Sequence, residues 1–236
     1  MDQQDPAPPA QIDVAAPPAR IDVVSDVICP WCWIGKRNLE GALALLAEEG
    51  QRFAVYWRPF QLNPDMPDEG VERDAYRAAK FGSAERGREL DAQVAAAGRA
   101  AGLEFRHDLM RRTPNTIDAH RLIRWAGEQG LDQQAALEEA IFQAYFQRGL
   151  DTGSRAVLAA LAGEAGLSEA EATAFLASGE GEAEVRAEDA GFRRSGLSGV
   201  PTFALEGHVL FSGAMPPERI AEALRRGLAI LRQQAA

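Results

Sequence analysis

Residues 21–28 form an apolar-rich run of the kind that makes a buried strand, and the Leu39/Leu43/Leu46 spacing after it predicts an amphipathic helix to about Glu49. Gly50 supplies a helix stop, and residues 53–60 predict a second strand whose poor alternation suits burial on both faces. Residues 61–70 are dense in turn formers and lead out of the sheet. From about Val71 to Leu176 the pattern becomes alanine-rich and helical, with almost no strand signal. Helices are predicted over 73–81, 84–101, 117–128, 131–147, 154–165 and 168–177, with a further one over 183–195. Ser83, Ser154 and Ser168 are natural N-caps, the last with Glu171 as a capping box. Strand signals return at 199–205 and 208–211 around a Glu206-Gly207 hairpin turn, before a last amphipathic helix to about Leu231. The order is β-α-β, a helical insert, α, then β-β-α. A right-handed crossover makes the first two strands parallel, and the hairpin adds antiparallel ones.

At 236 residues, 46% of them hydrophobic, the chain can bury a large core as one domain with an insertion or as two packed lobes. A net charge of −10 argues against a nucleic-acid surface, which needs a basic stripe to neutralise phosphates. No apolar stretch approaches the ~18 residues of a membrane span. Residues 1–19 contain five prolines and several alanines, begin with Asp2 and Asp5, and lack the basic start and apolar middle of a secretory signal. They are expected to form a disordered arm, and the protein to be cytoplasmic. Cysteines there meet a reducing environment, which favours a cycling disulfide over a permanent one.

The two cysteines of the chain, Cys29 and Cys32, fall three apart where the first strand turns into the first helix. Cys29 is expected at or just before the helix start, with Pro30 in the first turn, where a missing N–H costs nothing. Unpaired helix donors and the helix dipole favour a thiolate over a thiol by about 0.3–2 kcal/mol. Cys29 is therefore the expected nucleophile, and Cys32, one turn on and deeper, the resolving thiol. A C-x-x-C pair also serves as half of a zinc site, but only His107, His120 and His208 remain to complete it, at an unusual spacing. No metal is expected.

This order, with Cys29-Pro30-Trp31-Cys32 after the first strand and Val200-Pro201-Thr202 opening the third, resembles the thioredoxin fold. More closely, the chain from Ile21 to about Leu231 resembles the DsbA-like oxidoreductases called FrnE-like, relatives of the hydroxychromene carboxylate isomerases and kappa-class glutathione transferases. The matching residues are Asp26 with Cys29 through Cys32, Gly35 and Lys36; Pro59, Phe60, Leu62, Asn63 and Pro64; Pro114, Asn115, Thr116, Ala119 and His120; Ala144, Tyr145 and Phe146; Gly199 through Phe203; and Ser212, Gly213 and Ala214. Met215 stands where many relatives carry glutamine. The resemblance implies an α/β thioredoxin fold with a large all-helical insertion between the second strand and the helix before the third. Residues 20–65 and 183–236 would form a discontinuous thioredoxin-like domain, and 66–182 the insertion. It also implies a cis Val200-Pro201 peptide beside Cys29, leaving the Val200 backbone to pair with an extended substrate.

The expected catalytic residues are thus Cys29, Cys32 and Pro201. Substrate contacts are expected from Pro30, Trp31, Asn63, Asn115, His120, Val200, Thr202, Gly213 and Ala214, the last two through N–H groups offered to a carboxylate. For Asn63 a turn role, for Asn115 helix capping and for His120 buried packing are equally ordinary. His107 and His208 read as surface or turn residues. Trp31 and Trp33 read as an apolar rim, with core packing open for Trp33.

The leading reading is a thiol–disulfide oxidoreductase whose redox-active element is a Cys29–Cys32 disulfide. It needs no bound cofactor and acts on protein thiols or disulfides or on small-molecule thiols, as a monomer or homodimer. The alternative is a glutathione-dependent isomerase or transferase, with glutathione as co-substrate; such relatives carry serine at the position of Cys29. A polypeptide-binding holdase is a third.

Overall fold

The computed structural model describes residues 18–235. The expected arm therefore lies almost wholly outside the described residues, and its inner boundary moves, because Ala19 already pairs with Phe53. The elements in order are β1 (Ala19–Ser25), α1 (Pro30–Glu48), β2 (Phe53–Pro59), β3 (Val71–Glu72), α2 (Arg73–Phe81), α3 (Ala84–Ala100), β4 (Arg112–Thr113) and α4 (Ile117–Gln129). There follow α5 (Leu131–Phe146), α6 (Arg155–Glu164), α7 (Glu169–Ala177), α8 (Glu182–Arg194), β5 (Thr202–Leu205), β6 (His208–Ser212) and α9 (Pro217–Ala235).

The main sheet has the order β2-β1-β5-β6, with β1 parallel to β2 and antiparallel to β5, and β6 antiparallel to β5. This is the mixed α/β sheet of a thioredoxin fold. β1 is central, so Ile21, Val23 and Val24 are buried. β2 is instead an edge strand, and its first four residues are only partly buried, unlike the doubly covered strand its sequence suggests. β1 also ends three residues before the apolar run does: the Cys29 N–H donates back to the Asp26 carbonyl at 2.9 Å, a turn that sets up the helix. At the hairpin, Glu206 and Gly207 adopt φ values of 48° and 79°, the paired left-handed conformation that matches strand twist.

The strands β3 and β4 were not expected from the pattern, since two residues each are too few to show alternation. They pair Val71 with Thr113 and Glu72 with Arg112. Gly70 makes this pairing possible: its φ is 66°, and a Cβ there would lie 2.6 Å from the Thr113 carbonyl.

Two apolar cores result. The larger joins the sheet and both long helices of the sheet layer to the insertion, running from Ile21 and Val23 through Leu39, Phe203 and Leu224 to Leu122, Leu137, Leu158 and Leu176. The smaller surrounds the cysteines and contains Cys29, Cys32, Trp33 and Ile34 with Val94, Phe105, Met110, Phe142, Tyr145 and Phe146. Trp33 is its centre, stacked on Phe146 (5.8 Å) and Phe142 (6.3 Å) and edge-on to Phe105 (5.1 Å). Buried aromatic area of this kind contributes several kcal/mol, and it fixes α3 and α5 over the start of α1.

Candidate functional site

Cys29 is the N-cap of α1, in extended conformation (φ −90°, ψ 111°), with no side-chain cap on the helix and Pro30 just inside it. The end of the helix is thus left to a sulfur. The Cys29 thiol lies 3.7 Å from the Val200 carbonyl, which it can meet as a weak donor, and the Cys32 N–H donates to the Cys29 carbonyl at 3.0 Å. The two thiols are not bonded to each other. Cys32 is fully buried, and burial pushes its thiol well above the ordinary range, helped by its contact with Cys29; the Ser25 hydroxyl and Asp26 backbone against the sulfur oppose this.

Behind Cys32 lies a buried polar cluster contributed by β1, the turn after it, and two helices of the insertion. The Ser25 hydroxyl donates to Glu138 Oε1 at 3.0 Å. Asp26 accepts the Leu62 N–H at 2.6 Å, and its other oxygen lies 3.3 Å from His120 Nε2, close enough to pair but off the hydrogen-bond direction. Burial pushes Glu138 up to about 7 against the pull of His120, Ser25 and Lys36. For His120, burial works downward, but Asp26, Glu138 and Asp189 together outweigh it and the imidazole is raised. A cavity of ≈ 170 Å³ reaches Glu138 and His120 from the β2 side, where Arg58, Arg124, Glu128 and Glu188 face it.

On the opposite side, Cys29 opens into a cavity of ≈ 340 Å³ walled by α1, α2, α3 and the turns before β4 and β5. Pro30, Trp31 and Val200 line it too, Trp31 as an exposed rim (41%), whereas Trp33 belongs to the core. Its lining carries Arg73, Arg77 and Lys80, with Asp91 accepting from Arg73 at 2.9 Å and ion-paired with Arg77 at 2.7 Å.

Other residues singled out from the sequence are committed elsewhere. Pro201, joined to Val200 by a cis bond, packs behind the cysteines so tightly that a Cβ on Gly35 would lie 3.0 Å from its ring. Thr202 donates to the Gly199 carbonyl at 2.9 Å and shares a hydrogen bond with Ser212, holding that turn. Asn63 accepts from the Tyr76 hydroxyl at 2.7 Å and braces α2. Asn115 donates to the Met66 carbonyl at 2.6 Å and accepts the Ile117 N–H at 2.9 Å, at the start of α4. The Gly213 N–H is given to the Pro201 carbonyl at 2.8 Å, and Ala214 packs on the smaller core, so no free amide pair awaits a carboxylate there. Met215 packs on the larger core. None of Asn63, Asn115, His120, Thr202, Gly213, Ala214 or Met215 lines the cavity at Cys29. His208 is exposed on β6, as a surface histidine should be. His107, expected at the surface, instead lines the cavity, stacked on Phe105 at 5.5 Å, and burial pulls its imidazole below the usual range.

Glu138 and the basic wall were not singled out from the sequence. Glu138 had a readable signal: it lies four residues after buried Gln134 and three before Ile141, on the apolar stripe of α5. The basic wall had none, because Arg73, Arg77 and Lys80 read as an ordinary solvated face of a short helix.

A family model described as a DSBA-like thioredoxin domain matches residues 20–225. The chain is similar to a probable DsbA oxidoreductase, SCO1869, of Streptomyces coelicolor: 32% identical, TM-score 0.80, covering 89% of this chain and 90% of that one. It is 25% identical over 194 residues to the uncharacterized protein YwbO of Bacillus subtilis (strain 168), spanning 81% of this chain and 88% of that protein. Its fold is also shared by the cytosolic disulfide reductase DsbM from Pseudomonas aeruginosa with GSH (20% identity, TM-score 0.58, covering 92% and 98% of the two chains). The chain belongs to the DSBA-like thioredoxin-domain family of oxidoreductases.

Proposed function

We propose that the protein exchanges disulfides through Cys29 and Cys32. The observation that carries this reading is the asymmetry of the pair: Cys29 caps α1 and faces a cavity, while Cys32 lies fully buried one turn behind it. The Cys29 thiolate attacks a substrate disulfide, forms a mixed disulfide and expels one substrate thiolate. Cys32 then attacks the Cys29 sulfur and expels the second, leaving the Cys29–Cys32 disulfide and a substrate reduced by two electrons. Cys32 must first lose a proton. Its neighbour Ser25 already donates to Glu138, so the thiol proton passes to the serine oxygen as the serine proton passes to Glu138 Oε1. The reverse sequence oxidises a dithiol substrate. A reducing, cytoplasmic setting is part of this reading and is checked by fractionating cells.

The test is to equilibrate the protein against glutathione buffers and follow Cys29 by alkylation and mass. One intramolecular disulfide per chain, formed in a single two-electron transition, is expected. A chain that stays dithiol in every buffer, or forms only intermolecular disulfides, sinks the reading. A glutathione-dependent isomerase or transferase is the second reading, favoured by the cavity beside Cys29 and by the glutathione-bound relative of the same fold. Saturable glutathione binding by Cys32→Ser, without mixed-disulfide formation, would favour it.

A further inference from the structure

The cavity at Cys29 has a chemistry of its own. Its volume, ≈ 340 Å³, lies at the lower end of small-molecule sites, room for a compact organic molecule but for little of a polypeptide beyond one side chain. Most of its wall is apolar, with Leu62, Phe81, Leu90, Val94, Met110 and Phe146 among the lining residues. Cations concentrate at one end. Arg73 and Arg77 share the largely buried carboxylate of Asp91, and the second carboxylate near them, Asp74 at 3.9 Å from Arg73, is exposed to solvent, so that two arginines face one largely buried anion. Lys80 adds a further positive charge: its ammonium donates to the Tyr76 hydroxyl (2.6 Å) and Asn63 (3.3 Å), and no carboxylate pairs with it among the described residues. Arg77 is anchored by its Nη2, which donates to the Gly87 carbonyl at 2.8 Å, and its buried Nε has no hydrogen-bond partner among those residues. His107, facing Asp91 from 3.8 Å, does not cancel this charge. A positive pocket in a chain of net charge −10 is a local choice and not the overspill of a basic surface.

We infer that this cavity takes a low-molecular-weight disulfide with an apolar body and an anionic end, the anion against Lys80 and Arg77 and the sulfurs at Cys29. The inference rests on the disulfide-exchange reading above and narrows its substrate class. In this step the small disulfide accepts two electrons and leaves as two thiolates, the Cys29–Cys32 dithiol becomes the disulfide, and the Cys32 proton is released. The apolar wall selects by area and the cations by charge, so a molecule lacking either feature is a poorer fit.

The experiment measures stopped-flow oxidation of the reduced protein by four disulfides. These are 5,5′-dithiobis(2-nitrobenzoate), aromatic and anionic; 4,4′-dithiodipyridine, aromatic and uncharged; glutathione disulfide, anionic but polar; and insulin, a polypeptide. Each rate is divided by that of dithiothreitol with the same disulfide, which removes intrinsic reactivity. The aromatic anion is expected to lead the other three by about tenfold, the scale of one charge-assisted contact, and its lead over the uncharged disulfide to shrink with added salt. In Lys80→Gln, an exposed substitution the fold tolerates, the anionic-to-neutral ratio should fall by most of that factor, and Lys80→Glu should invert it. Equal normalised rates, a lead for insulin or glutathione disulfide, or a ratio untouched in both variants would overturn the inference while leaving disulfide exchange standing. Failure of the protein to react with any of the four, dithiodipyridine included, would instead remove the exchange reading and this inference with it.

Discussion

The two cysteines stand one helical turn apart in opposite environments. Cys29 looks out past Trp31 and Val200 into a cavity with apolar and cationic walls, and Cys32 looks inward at Ser25, Asp26 and the buried Glu138 and His120. Both environments draw on distant segments: β1, α1 and the turn between them supply the sulfurs with Ser25 and Asp26, the insertion supplies Glu138, His120 and the cationic wall, and Val200 arrives from just before β5. The contrast teaches that the division of labour in this pair comes from partners far away in sequence. Ser25 and Glu138 are 113 residues apart, and Cys29 and Val200 are 171. Chemically identical thiols are set apart because one is left at a helix end beside a cavity and the other is fully denied water.

The contrast is broken most completely by removing either thiol. Cys29→Ser should abolish insulin or dithiodipyridine reduction. Cys32→Ser should slow turnover by at least about a thousandfold, as expected when a positioned covalent partner is lost, and accumulate a mixed disulfide at Cys29 visible by mass spectrometry. A trapped adduct on Cys32 in the converse variant would reverse the assignment of roles.

The inner environment is sharpened by pH. Glu138 sits at about 7 when folded and returns to an ordinary carboxyl value when unfolded, so its neutral form stabilises the fold fully below about pH 4.5 and progressively less as the pH rises through 7. The difference corresponds to about 3 kcal/mol by pH 9. The raised His120 acts in the same direction, its contribution present below pH 6.5 and lost as the imidazole deprotonates in the fold. Urea titrations from pH 5 to 9 should show stability falling, and Glu138→Gln should flatten most of that slope. The same variant should slow the resolving step more than the first attack, measured by release of the second thiolate, whereas a purely structural glutamate would leave that ratio unchanged.

A smaller effect is expected where α1 meets Pro201. Gly35→Ala brings a methyl to 3.0 Å from the proline ring and 3.3 Å from Phe203, and should cost about 1–3 kcal/mol in denaturant unfolding, as overpacking does. Smallest of all, Trp31→Ala removes an exposed rim residue and should leave stability within about 0.5 kcal/mol while changing the rate with aromatic disulfides. A large loss of stability would mean that Trp31 belongs to the core with Trp33.

Much of this was legible from residues near one another in the chain. Cys29 as N-cap, Pro30 in the first turn, the serine caps of α3, α6 and α7, and the Glu206-Gly207 hairpin each rest on interactions within a few residues, and the structure places them there. The two-residue strands β3 and β4 were not, because their evidence lies in the pairing of segments about 40 residues apart. Asn115 illustrates the limit within the site: its type and position suit both capping and ligand contact, and only the fold shows its amide spent on Met66 and Ile117.

Read by itself, the chain determined the order of its longer elements, most helix boundaries and the turn that presents the two sulfurs, since these follow from periodicity, capping and local spacing, while its matching stretches carried the family resemblance. Tertiary structure alone decided what each sulfur faces. Burial and charge depend on which side chains arrive from distant segments, and so Glu138, His120 and the Arg73–Lys80 wall acquire their meaning only once the insertion has closed over α1.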